Sequence, residues 1–102
     1  MRRAEIHVRD RLAGTLEETD DHRYVFSYLE GYNGPPVSLT LPTKQQVYSF
    51  KKFPAFFEGL LPEGSQLEAL LRTEKLDRQD YLGQLITVGN DLVGAVTVKG
   101  IK

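Results

Sequence analysis

The stretch that decides the fold is residues 53–64, FPAFFEGLLPEG, where the spacing of apolar residues changes from two to nearly four. Pro54 suits the first turn of a helix, because its missing N–H group would have no partner there in any case. The apolar residues that then share one helical face are Phe56, Phe57, Leu60 and Leu61. Pro62 and Gly64 end the pattern, so the stretch predicts a short helix.

Upstream of this helix, apolar and polar residues alternate as they do in β-strands. Residues 4–9 and 12–18 predict two strands of a hairpin, with Gly14 where a bulge or a close backbone approach costs little. The aromatic-rich residues 24–29 predict a third strand, and residues 37–41 a fourth. No regular element is predicted between the fourth strand and the helix.

Downstream, the sequence predicts two more helices and a last strand. The second helix begins at Ser65 as N-cap, with Glu68 in capping-box position, and the third begins at Asp77. Gly89 suits a left-handed residue that closes the third helix, and residues 92–98 predict the strand. The residues of the second helix expected to face inward are Leu67, Leu70 and Leu71. The order of the elements predicts an α+β fold, because strands come first, helices follow, and a last strand returns to the sheet.

Composition limits the class of protein. The chain has 102 residues, no cysteine, 40% hydrophobic and 26% charged residues, and a net charge of -1. These values predict one soluble globular domain over residues 1–102, in the cytoplasm, with no disulfide and no membrane segment. Because the charges are balanced, nucleic acid is disfavoured as a ligand.

No motif for catalysis or cofactor binding is present in the sequence. It contains no phosphate-binding glycine loop, no HExxH or CxxC and no GxSxG, and a protein kinase active site needs far more chain than this. The two histidines, His7 and His22, suit solvated positions on a strand and in a turn. We therefore predict no catalytic residue, no cofactor and no metal site.

Two aromatic groups leave alternatives open. Tyr24, Phe26 and Tyr28 on one strand face could stack on single-stranded nucleic acid, although the balanced charge favours core packing. For Phe57 core packing is the default, with an anchor for a partner as the alternative, and residues 61–66 could equally protrude into a partner's groove or form a simple turn between helices. The candidate partner-binding residues are Phe57, Pro62, Glu63, Gly64, Ser65 and Gln66.

Several short motifs, in this order along the chain, carry a family resemblance. They are Gly14-Thr15-Leu16, Tyr24-x-Phe26-x-Tyr28, Ser38-Leu39-Thr40-Leu41-Pro42, Phe56-Phe57-x-x-Leu60-Leu61-Pro62-Glu63-Gly64 and Gly89-Asn90-Asp91-x-x-Gly94-Ala95-Val96. Together they resemble the N-terminal subdomain of HipA-type serine/threonine kinases over roughly residues 4–98, and residues 56–64 are the most specific part. After Gly64 the sequence lacks the arginine-rich continuation expected of a full-length kinase.

This resemblance carries expectations for fold and function. It implies a small, twisted, partly barrel-like, mainly antiparallel sheet, covered by about three helices and closed by the C-terminal strand. As a free-standing copy the chain is similar to HipS-type antitoxins of HipBST toxin-antitoxin systems. That implies binding and inhibition of a HipT-like kinase, which in this family phosphorylates an aminoacyl-tRNA synthetase, with a HipB-like DNA-binding protein as a possible third component.

Two other functions stay open at this point. The domain could be the non-catalytic regulatory or structural lobe of a HipA-type kinase, or it could be a small nucleic-acid-binding barrel that uses its aromatic strand. Inhibition, in the favoured case, is expected to occur by occlusion of the kinase's nucleotide or substrate cleft.

Overall fold

The structure, a computed structural model, describes residues 2–92 and 94–101. The elements in chain order are β1 (Arg2–Val8), β2 (Arg11–Glu18), β3 (Tyr24–Tyr28), β4 (Val47–Phe50), α1 (Ala55–Glu58), α2 (Gly64–Glu74), α3 (Tyr81–Val88) and β5 (Val96–Ile101). The strands form one antiparallel sheet in the order β4-β3-β2-β1-β5. The predicted α+β fold and the return of the last strand are confirmed. The sheet is open, with β4 and β5 at its edges, so the barrel-like closure was wrong.

Alternation along the strands creates the buried face of the sheet. Side chains at every second position of β1 and β3 are buried, and the helices lie against this face. In β2 the pairing skips Ala13, because Ile6 pairs with Gly14 while His7 pairs with Leu12. A Cβ atom on Gly14 would lie 2.1 Å from the carbonyl oxygen of Ser27, so the close approach predicted at this glycine is confirmed.

The fourth strand lies at β4 and not at residues 37–41, where it was predicted. Those residues form a turn with a single bridge between Ser38 and Leu41. The hydroxyl of Tyr28 accepts a hydrogen bond from the Val37 N–H group at 2.9 Å and donates one to the Leu41 carbonyl. One buried side chain therefore satisfies the backbone groups that a neighbouring strand would otherwise pair.

The second helix begins two residues earlier than predicted. α2 starts at Gly64 with Glu63 as N-cap, and no side chain caps it. The capping box predicted for Ser65 and Glu68 is therefore absent. Glu68 instead forms an ion pair with Arg78, which lies in the connection to α3.

The start of α3 also differs from the prediction. Asp80, and not Asp77, is the N-cap, and its Oδ1 accepts a hydrogen bond from the Gly83 N–H group at 3.1 Å. Asp77 accepts instead from the Gln79 N–H group at 2.8 Å, within the preceding turn. Both aspartates suit a cap by residue type, and the helical hydrogen bonds decide between them.

The end of α3 is fixed by close contact with β5. Gly89 has right-handed backbone angles, φ -56° and ψ -31°, so the predicted left-handed residue was wrong. A Cβ atom there would lie 1.9 Å from the carbonyl oxygen of Val98, whose N–H group donates to the Gly89 carbonyl at 3.1 Å. β5 begins at Val96 rather than at residue 92, and Val93 lies outside the described residues.

Candidate partner-binding surface

Phe57 belongs to the core. None of its surface is exposed, and its ring centroid lies 5.9 Å from that of Phe26 and 5.2 Å from that of Phe56. An anchor for a partner has to reach solvent before the partner arrives. The core alternative for Phe57 is therefore supported, and the structure corrects its inclusion among the partner-binding residues.

The other five candidate residues lie together in the connection between α1 and α2. Pro62 is half-buried, and the residues from Glu63 to Gln66 are exposed. The Leu61 N–H group donates to the Glu58 carbonyl at 3.1 Å, which continues the turn of α1 up to the connection. Gly64 has φ +60°, a left-handed conformation that side chains disfavour, so glycine is required where the chain turns into α2.

α2 buries none of its residues. Three leucines, Leu67, Leu70 and Leu71, were predicted to face inward. They are half-buried, so they are less buried than predicted. An amphipathic helix of a globular domain ordinarily hides its apolar side in the core. Residues 62–74, the exposed connection together with α2, thus form a protruding segment that we call the ridge.

Two clefts flank the ridge, and α3 forms the opposite wall of both. The first has a volume of about 290 Å³ and is lined by Glu58, Leu61, Pro62, Glu63, Leu67, Arg78, Tyr81 and Gln84. The second, of about 520 Å³, is lined by Pro62, Gln66, Ala69, Leu70, Thr73, Glu74, Thr87, Val88 and Asp91. Pro62 borders both clefts. A partner that covered the ridge could therefore insert side chains on either side of it.

The cleft residues that α3 contributes were not proposed as partner-binding residues from the sequence. Gln84 and Thr87 are far from residues 53–64 along the chain, and only the tertiary fold brings them to the clefts beside the ridge. No short pattern marks such residues. A prediction of which helices are neighbours would have been needed to find them.

An ion-pair network fixes the N-terminus of α3, and with it the cleft residue Tyr81. The Arg2 guanidinium lies 2.6 Å from Asp80 Oδ1 and 2.8 Å from Glu18 Oε1. The hydrogen bond from Arg2 lowers the pKa of Asp80 below its ordinary value, although burial opposes this. Next to Asp80, the ring of Tyr81 stacks on Phe53 at a centroid distance of 5.5 Å.

Another cleft, of about 680 Å³, is lined by none of the partner-binding residues chosen from the sequence. The network of Arg2, Glu18 and Asp80 lines it, together with the aromatic rings of Tyr24 and Phe53. Burial raises the pKa of Tyr24 to about 12, so this hydroxyl stays protonated at neutral pH. Arg2, Glu18 and Asp80 are engaged with each other, and the other acidic and basic side chains that line the cleft are His22, Lys52, Glu58 and Asp77.

The remaining sequence candidates do not form a site. Tyr24, Phe26 and Tyr28 are all buried, so the core-packing alternative holds and these rings leave no surface for stacking on bases. His7 is half-buried, 3.3 Å from Glu5, and His22 is exposed in a turn. Within residues 2–92 and 94–101, no group of three or more metal-binding side chains occurs, and no helix is long and apolar enough to cross a bilayer.

Three comparisons with known proteins bear on this surface. The sequence profile of the HipA N-terminal domain matches residues 4–99. An uncharacterized protein of Haemophilus influenzae is 29% identical over 100 residues, which cover 97% of this chain and 92% of that protein. A solved structure, the N-terminal domain of HipA toxin, superposes with a TM-score of 0.79 at 22% identity, covering 100% of this chain and 94% of the other.

Proposed function

This chain belongs to the HipA N-terminal domain family, and from that membership we propose that it is a non-catalytic domain which binds and restrains a HipA-type kinase. The observation that carries the proposal is the ridge. It begins within residues 56–64, the stretch most specific to the family resemblance, and none of the residues of α2 is buried in the domain's own core.

The ridge suits protein binding because its base is rigid while its top is exposed. Phe57, fully buried directly before the connection, fixes where the chain leaves α1, and Pro62 removes one backbone freedom from it. A segment that is ordered before binding loses less conformational entropy on association. Half-buried leucines of α2 beside exposed polar residues also resemble the mixed composition of protein interfaces.

In its specific form the proposal makes the chain a cytoplasmic antitoxin of a tripartite toxin-antitoxin module. Its partner is a HipT-like kinase, and residues 62–66 occlude the nucleotide or substrate cleft of that kinase. A HipB-like DNA-binding protein completes the complex. The domain itself supplies no catalytic residue and no cofactor.

A double substitution that adds positive charge tests the ridge directly. Glu63→Lys combined with Gln66→Arg should weaken binding to the kinase by at least about tenfold, because both positions are exposed at the proposed contact. The unfolding free energy should fall by about 0.5–2 kcal/mol, because both positive charges lie at the N-terminus of α2 and oppose its helix dipole, so binding is measured where the variant is fully folded. Glu30→Lys is the matched control, since Glu30 is exposed in a turn remote in sequence from the ridge.

The experiment uses a HipA-type kinase that lacks this domain, expressed as a separate chain. Calorimetry measures binding, and transfer of labelled phosphate to the kinase's substrate measures inhibition. The proposal fails if the wild-type chain neither binds the kinase nor lowers its rate. If the double variant binds and inhibits the kinase as well as Glu30→Lys does, the ridge is not the contact surface.

A regulatory lobe of a HipA-type kinase is the second candidate function, favoured by the superposition on 94% of the N-terminal domain of HipA toxin. This alternative predicts that the chain added separately does not inhibit the kinase. Fusion of the chain to the kinase would instead raise kinase stability without lowering its rate. The same phosphate-transfer assay therefore separates the two candidates.

A further inference from the structure

β4 leaves one edge of the sheet open. The Tyr28 N–H group donates to the Gln46 carbonyl at 2.9 Å, which makes these two residues a hydrogen-bonded pair of the antiparallel ladder. Such pairs alternate along a ladder, so Tyr48 and Phe50 direct their backbone groups toward β3. Val47 and Ser49 then direct theirs away from the sheet.

These outward groups are almost unoccupied. The side-chain amide of Gln45 donates to the Val47 carbonyl at 2.7 Å and would have to swing away to admit another strand. Across the part of the chain that the structure describes, no hydrogen bond reaches the backbone of Ser49 from the edge side. The opposite edge differs, because the Val98 N–H group of β5 is bonded to the Gly89 carbonyl.

Among the residues that the structure describes, the large apolar side chains that stay exposed lie in and around β4. Val47, 49% exposed, begins the strand, and Leu29, 40% exposed, directly follows the neighbouring β3. Leu39, 94% exposed, stands in the turn at residues 38–41. The hydroxyl of Tyr48 donates to the Pro42 carbonyl at 2.6 Å and so ties this turn to β4.

The charged residues within β4 and the connections on either side of it are all basic. The whole chain has 14 acidic residues, but the sequence from residue 31 to residue 57 contains no aspartate and no glutamate. The same interval contains Lys44, Lys51 and Lys52, all exposed. Asp21 shares a cleft with Ser49 and Lys51, but it is already paired with Arg23. An acidic partner is therefore the one that the local charge favours.

We propose that the β4 edge binds an extended acidic segment of another protein, which adds as a sixth strand. Strand addition obtains affinity from backbone hydrogen bonds and specificity from the side chains that flank them. Ser49 supplies the free backbone groups, Val47 and Leu39 supply apolar contacts, and the lysines select an acidic sequence. This surface goes beyond the kinase-binding ridge and does not depend on it.

Lysines on an edge strand also have a protective use, because they discourage pairing with other chains. That use predicts no binding of any strand. The two explanations therefore predict different results. If the lysines only protect the edge from pairing, no extended peptide binds to β4, whereas the proposal requires acidic peptides to bind there.

The probe is a capped peptide of about eight residues that alternates glutamate with valine or threonine. Titrated into isotope-labelled full-length protein, it should shift the amide resonances of Val47, Ser49 and Lys51 and bind with a Kd of about 0.1–1 mM, as expected for a short strand. A peptide with lysine in place of glutamate should bind at least about tenfold more weakly. The acidic peptide methylated on alternate backbone nitrogens should not bind, because it cannot pair.

Variants of the protein complete the test. Lys51→Glu combined with Lys52→Glu should weaken the acidic peptide by at least about tenfold. Lys99→Glu on β5, exposed at the other edge, should have little effect. No shift at millimolar acidic peptide would overturn the proposal, as would equal binding of the methylated peptide, which would mean charge attraction without strand pairing. Shifts confined to β5 would also overturn it.

Discussion

Replacing Phe57 with alanine is expected to lower the unfolding free energy by about 3–5 kcal/mol, the range for removing a buried aromatic ring. The ring is fully buried and packs on Phe26 of the sheet and on Phe56 of α1, so its loss leaves a cavity between the sheet and the helices. A domain of this size has a total stability of about 5–15 kcal/mol, so the variant should fold but melt earlier by roughly 12–40 °C.

Urea unfolding at low temperature, followed by circular dichroism, measures this loss. Leu39→Ala is the matched control, because this side chain is 94% exposed and its removal should change stability by less than about 0.5 kcal/mol. A Phe57→Ala variant within about 1 kcal/mol of the wild type would refute the assignment to the core. So would a variant that keeps its stability and loses only its affinity for the kinase, which is the behaviour of an anchor.

Two further predictions concern contacts between elements. Gly89→Ala should lower the unfolding free energy by about 2–4 kcal/mol in chemical denaturation, since its Cβ atom would overlap the backbone of Val98. Gly59→Ala is the control and should change the unfolding free energy very little, because Gly59 has φ -64° and no atom would lie nearer than 3.4 Å to the new Cβ atom. Equal losses of stability in the two variants would contradict the close contact at Gly89. Arg2→Met should cost about 1 kcal/mol near pH 7, because the guanidinium is partly exposed. The pKa of Asp80 is lowered in the folded state, so this contribution is present above the unfolded pKa of about 3.9 and is lost as pH falls through the folded value; a gap between wild type and variant that stays constant down to about pH 2 would contradict it.

The sheet was largely predictable because its strands bury one face only. A period of two in β1, β2 and β3 follows directly from that, and all three were found near their predicted positions. Residues 37–41 have equally strand-like side chains, but they pair with the hydroxyl of Tyr28 rather than with a strand. Local pattern does not report such a long-range partner. β4 was missed for the same reason, since only its pairing with β3 distinguishes it from a polar connection.

The candidate partner-binding surface stays a prediction, and only the exposure of its residues can be compared with the structure. The connection at residues 62–66 was selected because proline and glycine interrupt a helical pattern, and it is exposed as a binding loop requires. Phe57 could not be assigned, because an aromatic residue on an amphipathic helix suits a core and an interface equally well. The burial of its ring by Phe26 depends on where β3 passes, which is a tertiary contact.

α2 illustrates how the energetics of the fold and the proposed function are connected. Its leucines have the spacing of a buried helix face, yet no residue of α2 is buried, so packing contributes less to this helix than its sequence suggests. A helix of 11 residues is only marginally stable in water by itself. Its other support is the exposed ion pair between Glu68 and Arg78, and such pairs contribute little. α2 is therefore expected to be among the least stable elements of the domain, and binding segments are commonly of this kind. A partner that covers the leucines of α2 would supply the burial that the domain's own core does not.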